Sequence, residues 1–219
     1  MDRSDNKETL NTSNSAVNII KDPGSSYHAK SVKNYSIQDY FALPDNVHAE
    51  LIDGRLFYMS APTPEHQGFL FETASALRSY IRRQKGSCKV MIAPLDVQLD
   101  CDDKTMVQPD IFVLCSRDKL TSQRIYGAPD LCIEITSPSS RILDMKIKLH
   151  KYKNAGVRKY WIADIAHRQT LCYFFEENSI PAIDPFETPV PVHIFNDELY
   201  VSFFDIEADA SVSHLPSPD

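Results

Sequence analysis

Glycine is scarce in this chain, with six residues among 219, and none of them belongs to a glycine-rich phosphate-binding pattern. Neither Gly-x-Gly-x-x-Gly nor the P-loop sequence occurs. Such loops let the backbone approach a pyrophosphate at the start of a helix, which is a common way to hold a nucleotide cofactor. Their absence disfavours a nucleotide-dependent enzyme.

Zinc-binding patterns are also missing. The seven histidines show no His-x-x-x-His spacing and the five cysteines show no Cys-x-x-Cys pair, so a zinc hydrolase and a structural zinc site are disfavoured. The cysteines form an odd set, and three lie in apolar, strand-like runs where free thiols pack as small hydrophobic groups. We therefore expect free thiols and a reducing cytoplasm.

Long apolar runs are absent, since no uninterrupted run exceeds five residues. A membrane-spanning helix needs about 20 apolar residues, and the segment from Met1 to Asn6 lacks the hydrophobic core of a secretion signal. With 42% hydrophobic residues over 219 positions, the chain can bury a full core. These features predict a soluble cytoplasmic protein without a membrane partner.

The net charge of −7 is unevenly distributed. Residues 176–219 contain ten acidic residues and no Lys or Arg, whereas residues 141–159 contain seven basic residues and only Asp144 as an acid. A second basic cluster, residues 78–89, contains no acid. Local basic clusters on an acidic protein can follow phosphates, but solvated helix faces explain them equally well.

The order of predicted elements indicates a mixed sheet with a helix on each face. A Ser36-capped short helix precedes an Asp53-Gly54 hairpin, and Pro62-Thr63-Pro64-Glu65 then introduces a helix that runs to about Gln84. The predicted strands and the second long helix follow: residues 89–93, 96–99, 109–115 and 130–136, the helix 141–154, then strands 159–163 and 170–175, with 200–204 as a further strand or an apolar segment packed on the core. We divide the chain into a loose N-terminal tail, residues 1–34, a core domain, 35–175, and an acidic, Pro-containing C-terminal extension, 176–219, that packs on the core.

Two carboxylates lie in or beside apolar strands. Strand alternation places Cys132, Glu134 and Thr136 on one face, so Glu134 points into a buried layer and needs a cation as partner. Asp110, at the start of the neighbouring strand, could supply a second oxygen ligand to a divalent cation. A buried salt bridge or a turn cap is the alternative for either residue alone.

A lysine on the following helix can complete this group. Counted at about 100° per residue, Ile142, Met145, Leu149 and Tyr152 form the predicted buried stripe. Lys148 borders the stripe next to Tyr152, and Lys146 borders it next to Ile142. Both can extend inward, so periodicity does not separate them.

Several spaced motifs together resemble the Uma-type family of restriction endonucleases, within the superfamily that has the PD-(D/E)xK nuclease core. The resemblance covers about residues 35–175, with a weaker match near residues 203–206. The motifs that carry it are Glu50-Leu51-Ile52-Asp53-Gly54, His66-Gln67, Ala93-Pro94-Leu95-Asp96-Val97, Gln108-Pro109-Asp110, Glu134-Ile135-Thr136-Ser137-Pro138-Ser139, Ala155-Gly156-Val157 and Tyr160-Trp161-Ile162-Ala163-Asp164.

The resemblance implies an α/β (α+β) restriction-endonuclease-like fold, in which a mixed sheet is flanked by helices and preceded by a β-hairpin. It implies that Asp110 and Glu134 bind Mg²⁺ or Mn²⁺ for hydrolysis of double-stranded DNA, and that a homodimer cuts both strands. The superfamily lysine is replaced here by Thr136. The family pattern instead has a lysine four residues before a helical tyrosine, which selects Lys148, before Tyr152, over Lys146.

Other residues are assigned lesser roles. Glu50, His66 and Asp96 match family positions and are candidates to line the cleft, together with Lys146 and Tyr152. Capping or packing for His66 and a turn role for Asp96 are the alternatives. Because Thr136 breaks the superfamily motif, the alternative function is a catalytically degenerate nuclease fold that binds nucleic acid or protein. A scaffold whose acidic C-terminal region docks a basic partner is a third interpretation.

Overall fold

The computed structural model describes residues 34–99, 102–177, 179–195 and 198–210. The predicted N-terminal tail therefore lies outside the described residues except for Asn34. Within the described residues, no helix combines the length and apolar character needed to cross a membrane.

The protein contains twelve strands and four α-helices in the described residues. The strands are β1 Ala49–Ile52, β2 Arg55–Tyr58, β3 Lys89–Ile92, β4 Val97–Gln98, β5 Ile111–Leu114, β6 Ile125–Tyr126, β7 Leu131–Thr136, β8 Lys159–Asp164, β9 Gln169–Phe174, β10 Ala182–Pro185, β11 Val190–Pro191 and β12 Tyr200–Val201. The helices are α1 Ile37–Phe41, α2 Pro64–Arg83, α3 Leu149–Ala155 and α4 Phe203–Ala210, and a π-helical segment, Leu143–Lys148, leads into α3.

Six strands form the central sheet in the order β10-β9-β8-β7-β5-β3. Strands β7 and β8 are parallel and every other neighbouring pair is antiparallel, so the predicted mixed sheet is confirmed. The predicted strand 96–99 does not join it. Strand β4 pairs with β6 in a separate two-stranded sheet, and Val97 also exchanges backbone hydrogen bonds with Val107.

Each face of the central sheet is covered by helices, as predicted. Helices α2 and α4 pack over the face that carries Leu131, Ile133 and Ile135 of β7. The π-helical segment and α3 pack over the other face, which includes Cys132. The alternation of β7 thereby places Glu134 on the side of α3, within the layer between sheet and helix.

The hairpin of β1 and β2 packs beside this layer and is confirmed as predicted. Its turn residues Asp53 and Gly54 both have positive φ, which explains the Asp-Gly sequence. Helix α1 covers the hairpin through Ile37, and its capping box between Ser36 and Asp39 confirms the predicted Ser36 cap.

The segment after residue 175 contains a strand and a helix that differ in part from the strand predicted at residues 200–204. Strand β10 extends the central sheet beside β9. Of the predicted segment 200–204, only Tyr200–Val201 is a strand. Helix α4 begins at Phe203, where the Ser202 hydroxyl accepts a hydrogen bond from the Asp205 amide, because Ser favours a helix start.

The expectation of free thiols is wrong for two cysteines. Residues Lys89 and Leu114 are paired across β3 and β5, so Cys88 and Cys115 lie opposite each other and form a disulfide. Cys132 and Cys172 are buried free thiols. Disulfides are rare in the cytosol, so this bridge weakens the inference of a reducing compartment, and the cytoplasmic location stays a prediction.

Candidate active site

Glu134 lies in the middle of the sheet and is almost fully buried, at 3% exposure. Its Oε1 accepts hydrogen bonds from Lys148 Nζ at 3.0 Å and from the Tyr152 hydroxyl at 2.7 Å. Both donors come from the helix that covers this face of the sheet. The partner that a buried carboxylate requires is therefore Lys148.

Two further carboxylates share the same ammonium group. Glu50 Oε1, from β1, lies 2.9 Å from Lys148 Nζ, and Asp144 Oδ1 lies 3.8 Å from it. Glu50 also accepts a hydrogen bond from the Gln108 amide at 2.7 Å. Glu50, Asp144 and Lys148 are all buried, so three buried carboxylates share one ammonium group within the fold.

The π-helical segment decides which lysine points inward. Four residues of an α-helix rotate the side-chain direction by about 40° more than one full turn around the axis. In the wider π turn, with i→i+5 hydrogen bonds, four residues rotate it by less than one full turn. The two deviations offset each other, so Asp144, Lys148 and Tyr152 lie on one buried line at steps of four. Lys146 is exposed and does not line the cluster. Ile142, predicted to be in the buried stripe, is 48% exposed, because the predicted stripe assumed a regular α-helix.

Asp110 lies at the edge of this cluster, directly before β5. Its Oδ2 accepts a hydrogen bond from the Ile135 amide at 2.8 Å and lies 3.2 Å from His66 Nε2. The Asp110 amide donates to Glu134 Oε2 at 3.4 Å. Asp110 and Glu134 are thus adjacent, and Asp110 and His66 are the partly exposed members, at 19% and 17% side-chain exposure.

His66 reaches Asp110 from the first turn of α2. This helix starts at the Thr63 cap and Pro64, both of which favour a helix start. Burial alone would lower the pKa of His66, but the hydrogen bond to Asp110 and its negative charge raise that pKa above the ordinary value. His66 therefore orients the Asp110 carboxylate.

The cluster carries more negative than positive charge. Burial raises the pKa of Glu50 and Asp144 and raises that of Glu134 far more, although the charge of Lys148 opposes each shift. For Lys148, burial would lower the pKa, but Glu134, Glu50 and Asp144 together raise it well above the usual value. Lys148 is therefore a fixed cation, and the carboxylates compete for it.

A side network supports Glu50 from the direction of α1. The Gln108 side chain donates to Asp96 Oδ1 at 2.8 Å and to the Tyr40 hydroxyl at 3.1 Å, and Tyr40 donates to the same Asp96 oxygen at 2.8 Å. Burial and the nearby Asp96 raise the pKa of Tyr40. The structure thus places Asp96 against Gln108 and Tyr40, one residue removed from Glu50.

Thr136, two residues beyond Glu134, is buried, and its hydroxyl lies 3.1 Å from the Ser140 hydroxyl. It ends β7 and contacts the turn that enters the helix. The helical Lys148 delivers an ammonium group to Glu134 from another direction, so the Thr136 substitution leaves no missing cation beside Glu134.

The residues fit a hard divalent cation of the kind that keeps several waters. Among the described residues, no three His, Cys, Asp or Glu side chains form a ready metal cage. Mg²⁺ is commonly held by one or two carboxylates together with substrate phosphates. Asp110 Oδ2 and Glu134 Oε1 are engaged by the donors described above, whereas Glu134 Oε2 accepts the long, 3.4 Å hydrogen bond from the Asp110 amide. Asp110 Oδ1 and Glu134 Oε2 are therefore the oxygens best placed to coordinate, and the surplus of negative charge favours a cation there.

Sequence reasoning missed part of this site. Asp144 was read only as the single acid in a basic segment, and Glu50 only as a cleft-lining candidate, although both contact Lys148. The Glu50 signal was available, because a carboxylate between Ala49 and Leu51 in a hairpin strand also needs a partner. For Asp144 the sequence held no such signal, since the π turn that buries it has no recognised pattern.

Comparisons with known proteins bear on the family and the fold of the chain. The family model described as "Uma2: Putative restriction endonuclease" matches residues 37–200 and confirms the resemblance seen in the motifs. The crystal structure of a "putative nuclease belonging to DUF820" from Anabaena variabilis ATCC 29413 superposes with a TM-score of 0.67 at 23% identity, covering 80% of this chain and 99% of that chain. This likeness confirms the predicted fold class. No curated protein matches the chain.

Proposed function

Because the chain belongs to the Uma2 restriction-endonuclease family, whose membership supports a nuclease-like function, we propose that it is a metal-dependent endonuclease that hydrolyses phosphodiester bonds of double-stranded DNA. The observation that carries the proposal is the meeting of Asp110, Glu134 and Lys148, which come from three separate elements, at one place on the sheet. A carboxylate pair beside a fixed cation suits phosphoryl chemistry, where negative charge develops on oxygen.

Asp110 and Glu134 would hold Mg²⁺ or Mn²⁺. When bound, the ion supplies Lewis-acid polarisation of the phosphate and lowers the pKa of the attacking water. His66 fixes Asp110 through Oδ2, and Lys148 with Tyr152 fixes Glu134 through Oε1. Each carboxylate is thereby held by side-chain contacts to one of its two oxygens.

Lys148 contributes a positive charge and does not accept the water proton. Its pKa lies well above the usual value because three carboxylates surround it, so it stays an ammonium group at neutral pH. We assign it as a positioning residue that orients Glu134 and partly offsets the carboxylate surplus. This favours the orienting role for the lysine over deprotonation of the water.

The test is cleavage of plasmid DNA by the purified protein with Mg²⁺ or Mn²⁺. We expect Asp110→Ala to lower the cleavage rate by at least about 100-fold, since loss even of an outer-shell group at a metal site costs 10- to 100-fold. Asp118→Ala is the matched control, because Asp118 is exposed and outside the cluster. Equal rates for the wild type and Asp110→Ala would refute this assignment of the site.

A nuclease fold that binds without cleaving is the second candidate. It is favoured by the lack of a three-residue metal cage in the described residues and by Thr136 at the superfamily lysine position. Salt-dependent DNA binding with no turnover at any divalent ion would support it. Isothermal titration of Mg²⁺ into the wild type and Asp110→Ala would then show no difference in heat.

A further inference from the structure

The two basic clusters of the sequence differ in how many of their side chains form ion pairs with carboxylates. In residues 141–159, five of the seven basic side chains are within ion-pair distance of carboxylates. The pairs are Arg141 with Asp164, Lys148 with the buried cluster, Lys151 with Asp53, Arg158 with Asp130 and Glu176, and Lys159 with Glu177. This segment is therefore not a surface that follows phosphates.

The second basic cluster forms no ion pair among the described residues. Arg78, Arg82, Arg83 and Lys85, at the end of α2 and in the turn before β3, are all exposed, and we call them the α2–β3 cationic surface. Lys89 lies outside this surface, because strand alternation places it with Met91 on the α3 face of the sheet. Arg83 lies over the Tyr80 ring, but none of the four forms an ion pair with a carboxylate in the part of the chain that the structure describes. Four neighbouring cations of this kind on a protein of net charge −7 indicate an anionic partner.

Helix α2 links the α2–β3 cationic surface to the candidate active site. Helix α2 begins next to the site, where His66 contacts Asp110, and runs towards Arg82. Strand β3 lies beside it at the sheet edge, with Ile92 paired to Ile111 near the site and Lys89 paired to Leu114 at the far end. At 1.5 Å per residue, His66 and Arg82 are about 24 Å apart along the helix axis.

One flank of α2 connects the two regions without an intervening acid. Counted at about 100° per residue, Gln67, Phe71, Arg78 and Arg82 lie within about 60° of one another. The acidic residues of this helix, Glu65 and Glu72, lie roughly 120° away on the other flank. Phe71 is 65% exposed, so this flank is open to solvent, and an exposed ring can pack against a sugar or base.

We propose that the α2–β3 cationic surface binds the backbone phosphates of DNA extending away from the cleavage site. This inference rests on the proposed function and adds where the flanking nucleic acid lies. A span of about 24 Å corresponds to about seven nucleotides at 3.4 Å per nucleotide of one strand. Arg and Lys at this distance fix the orientation of the duplex and carry no sequence information.

The test is equilibrium binding of a fluorescein-labelled duplex of about 20 base pairs, measured by anisotropy in EDTA from about 50 to 200 mM salt. The variant is Arg78→Gln/Arg82→Gln. The control is Arg55→Gln/Lys153→Gln, which removes the same charge from two exposed residues elsewhere. We expect the slope of log K against log salt to fall by about 2 in the variant, near 0.9 per lost phosphate contact, and to stay unchanged in the control.

The outcomes separate this inference from the function on which it rests. An unchanged slope in Arg78→Gln/Arg82→Gln, or an equal fall in the control, overturns the inference while DNA binding by the wild type stands. If the wild type neither binds nor cleaves DNA, the proposed function itself is refuted. If sedimentation shows that the wild type self-associates and the variant does not, the surface binds the acidic C-terminal region of a second copy, which also overturns the inference.

Discussion

Two buried carboxylates at the same end of the sheet differ in their surroundings. Glu134 on β7 and Asp164 on β8 lie on parallel neighbours, with Asp164 paired to Thr136. Asp164 is 1% exposed and has two partners of its own, the Arg141 guanidinium at 2.9 Å and the His167 ring at 3.0 Å. Glu134 shares a single lysine with Glu50 and Asp144.

The pKa values of Asp164 and Glu134 differ because Asp164 has partners of its own, whereas Glu134 shares one cation with two other carboxylates. Burial would raise the pKa of Asp164, but hydrogen bonds from His167 and Arg141 bring it below the usual value, whereas burial raises the pKa of Glu134 well above its usual range. A balanced pair stabilises the fold, while a carboxylate surplus lowers stability and is typical of sites built to bind something. Burial of a carboxylate therefore does not by itself identify a functional site.

The largest expected effect comes from removing the one cation of the Glu134 cluster. Lys148→Met leaves three buried carboxylates without a positive partner, and loss of one member of a buried pair costs about 3 to 5 kcal/mol. Urea unfolding should show this loss of unfolding free energy. The double variant Glu134→Gln/Lys148→Met should recover part of that free energy, because it leaves one buried charge fewer. Lys153→Met, an exposed lysine of the same helix, should change stability little. A loss no larger than that of the control would contradict this account.

A smaller effect of opposite sign is expected from Glu134→Gln. The folded-state pKa of Glu134 is raised. Its protonated form, which stabilises the fold, is therefore fully present below the unfolded-state pKa of about 4.3. This stability is lost as the pH rises through the folded-state pKa. The neutral amide does not ionise. The variant should therefore gain stability relative to the wild type as the pH rises above about 4.3, by about 1 kcal/mol or more, while cleavage is lost. Thermal unfolding from acidic to alkaline pH measures the difference, and a constant difference would contradict it.

The smallest effect is expected at Asp164. Its folded-state pKa is lowered, so its charge stabilises the fold above the unfolded pKa of about 3.9 and that stability is lost as the pH falls through the folded pKa. Asp164→Asn should cost about 1 to 2 kcal/mol at neutral pH, because charge-assisted hydrogen bonds become neutral ones, and the cost should vanish in acid. The same unfolding series measures it. A cost that grows in acid would show that Asp164 and Glu134 do not differ in the way described.

The sequence predicted the elements that local chemistry specifies. The Asp53-Gly54 turn, the Ser36 cap and the periodicity of α2 each depend on neighbouring residues, and all three are confirmed. The inward direction of Glu134 followed from strand alternation alone. Helical periodicity left Lys146 and Lys148 equivalent, and the family resemblance selected Lys148, which the structure places against Glu134; whether it takes part in catalysis stays a prediction.

The remaining features depend on contacts between distant segments. The Cys88–Cys115 bridge follows from the register of β3 and β5, which a separation of 27 residues does not reveal. The burial of Asp144 follows from the π turn, and the pairing of five of the seven basic residues in 141–159 depends on acids of other elements. Local patterns cannot fix any of these, because each is decided by tertiary packing.

The π turn before α3 also affects how the sequences of related proteins align with this one. A wide turn of this kind corresponds to one residue inserted into an α-helix, so its gain or loss is a single-codon event in a gene. Deleting one residue between Asp144 and Lys148 would leave a regular α-helix in which Asp144, the lysine and the tyrosine stand at i, i+3 and i+7, within about 60° of one another around the axis. A relative without the extra residue would therefore keep these side chains on one face at a different spacing, and a gapless alignment would pair the wrong side chains.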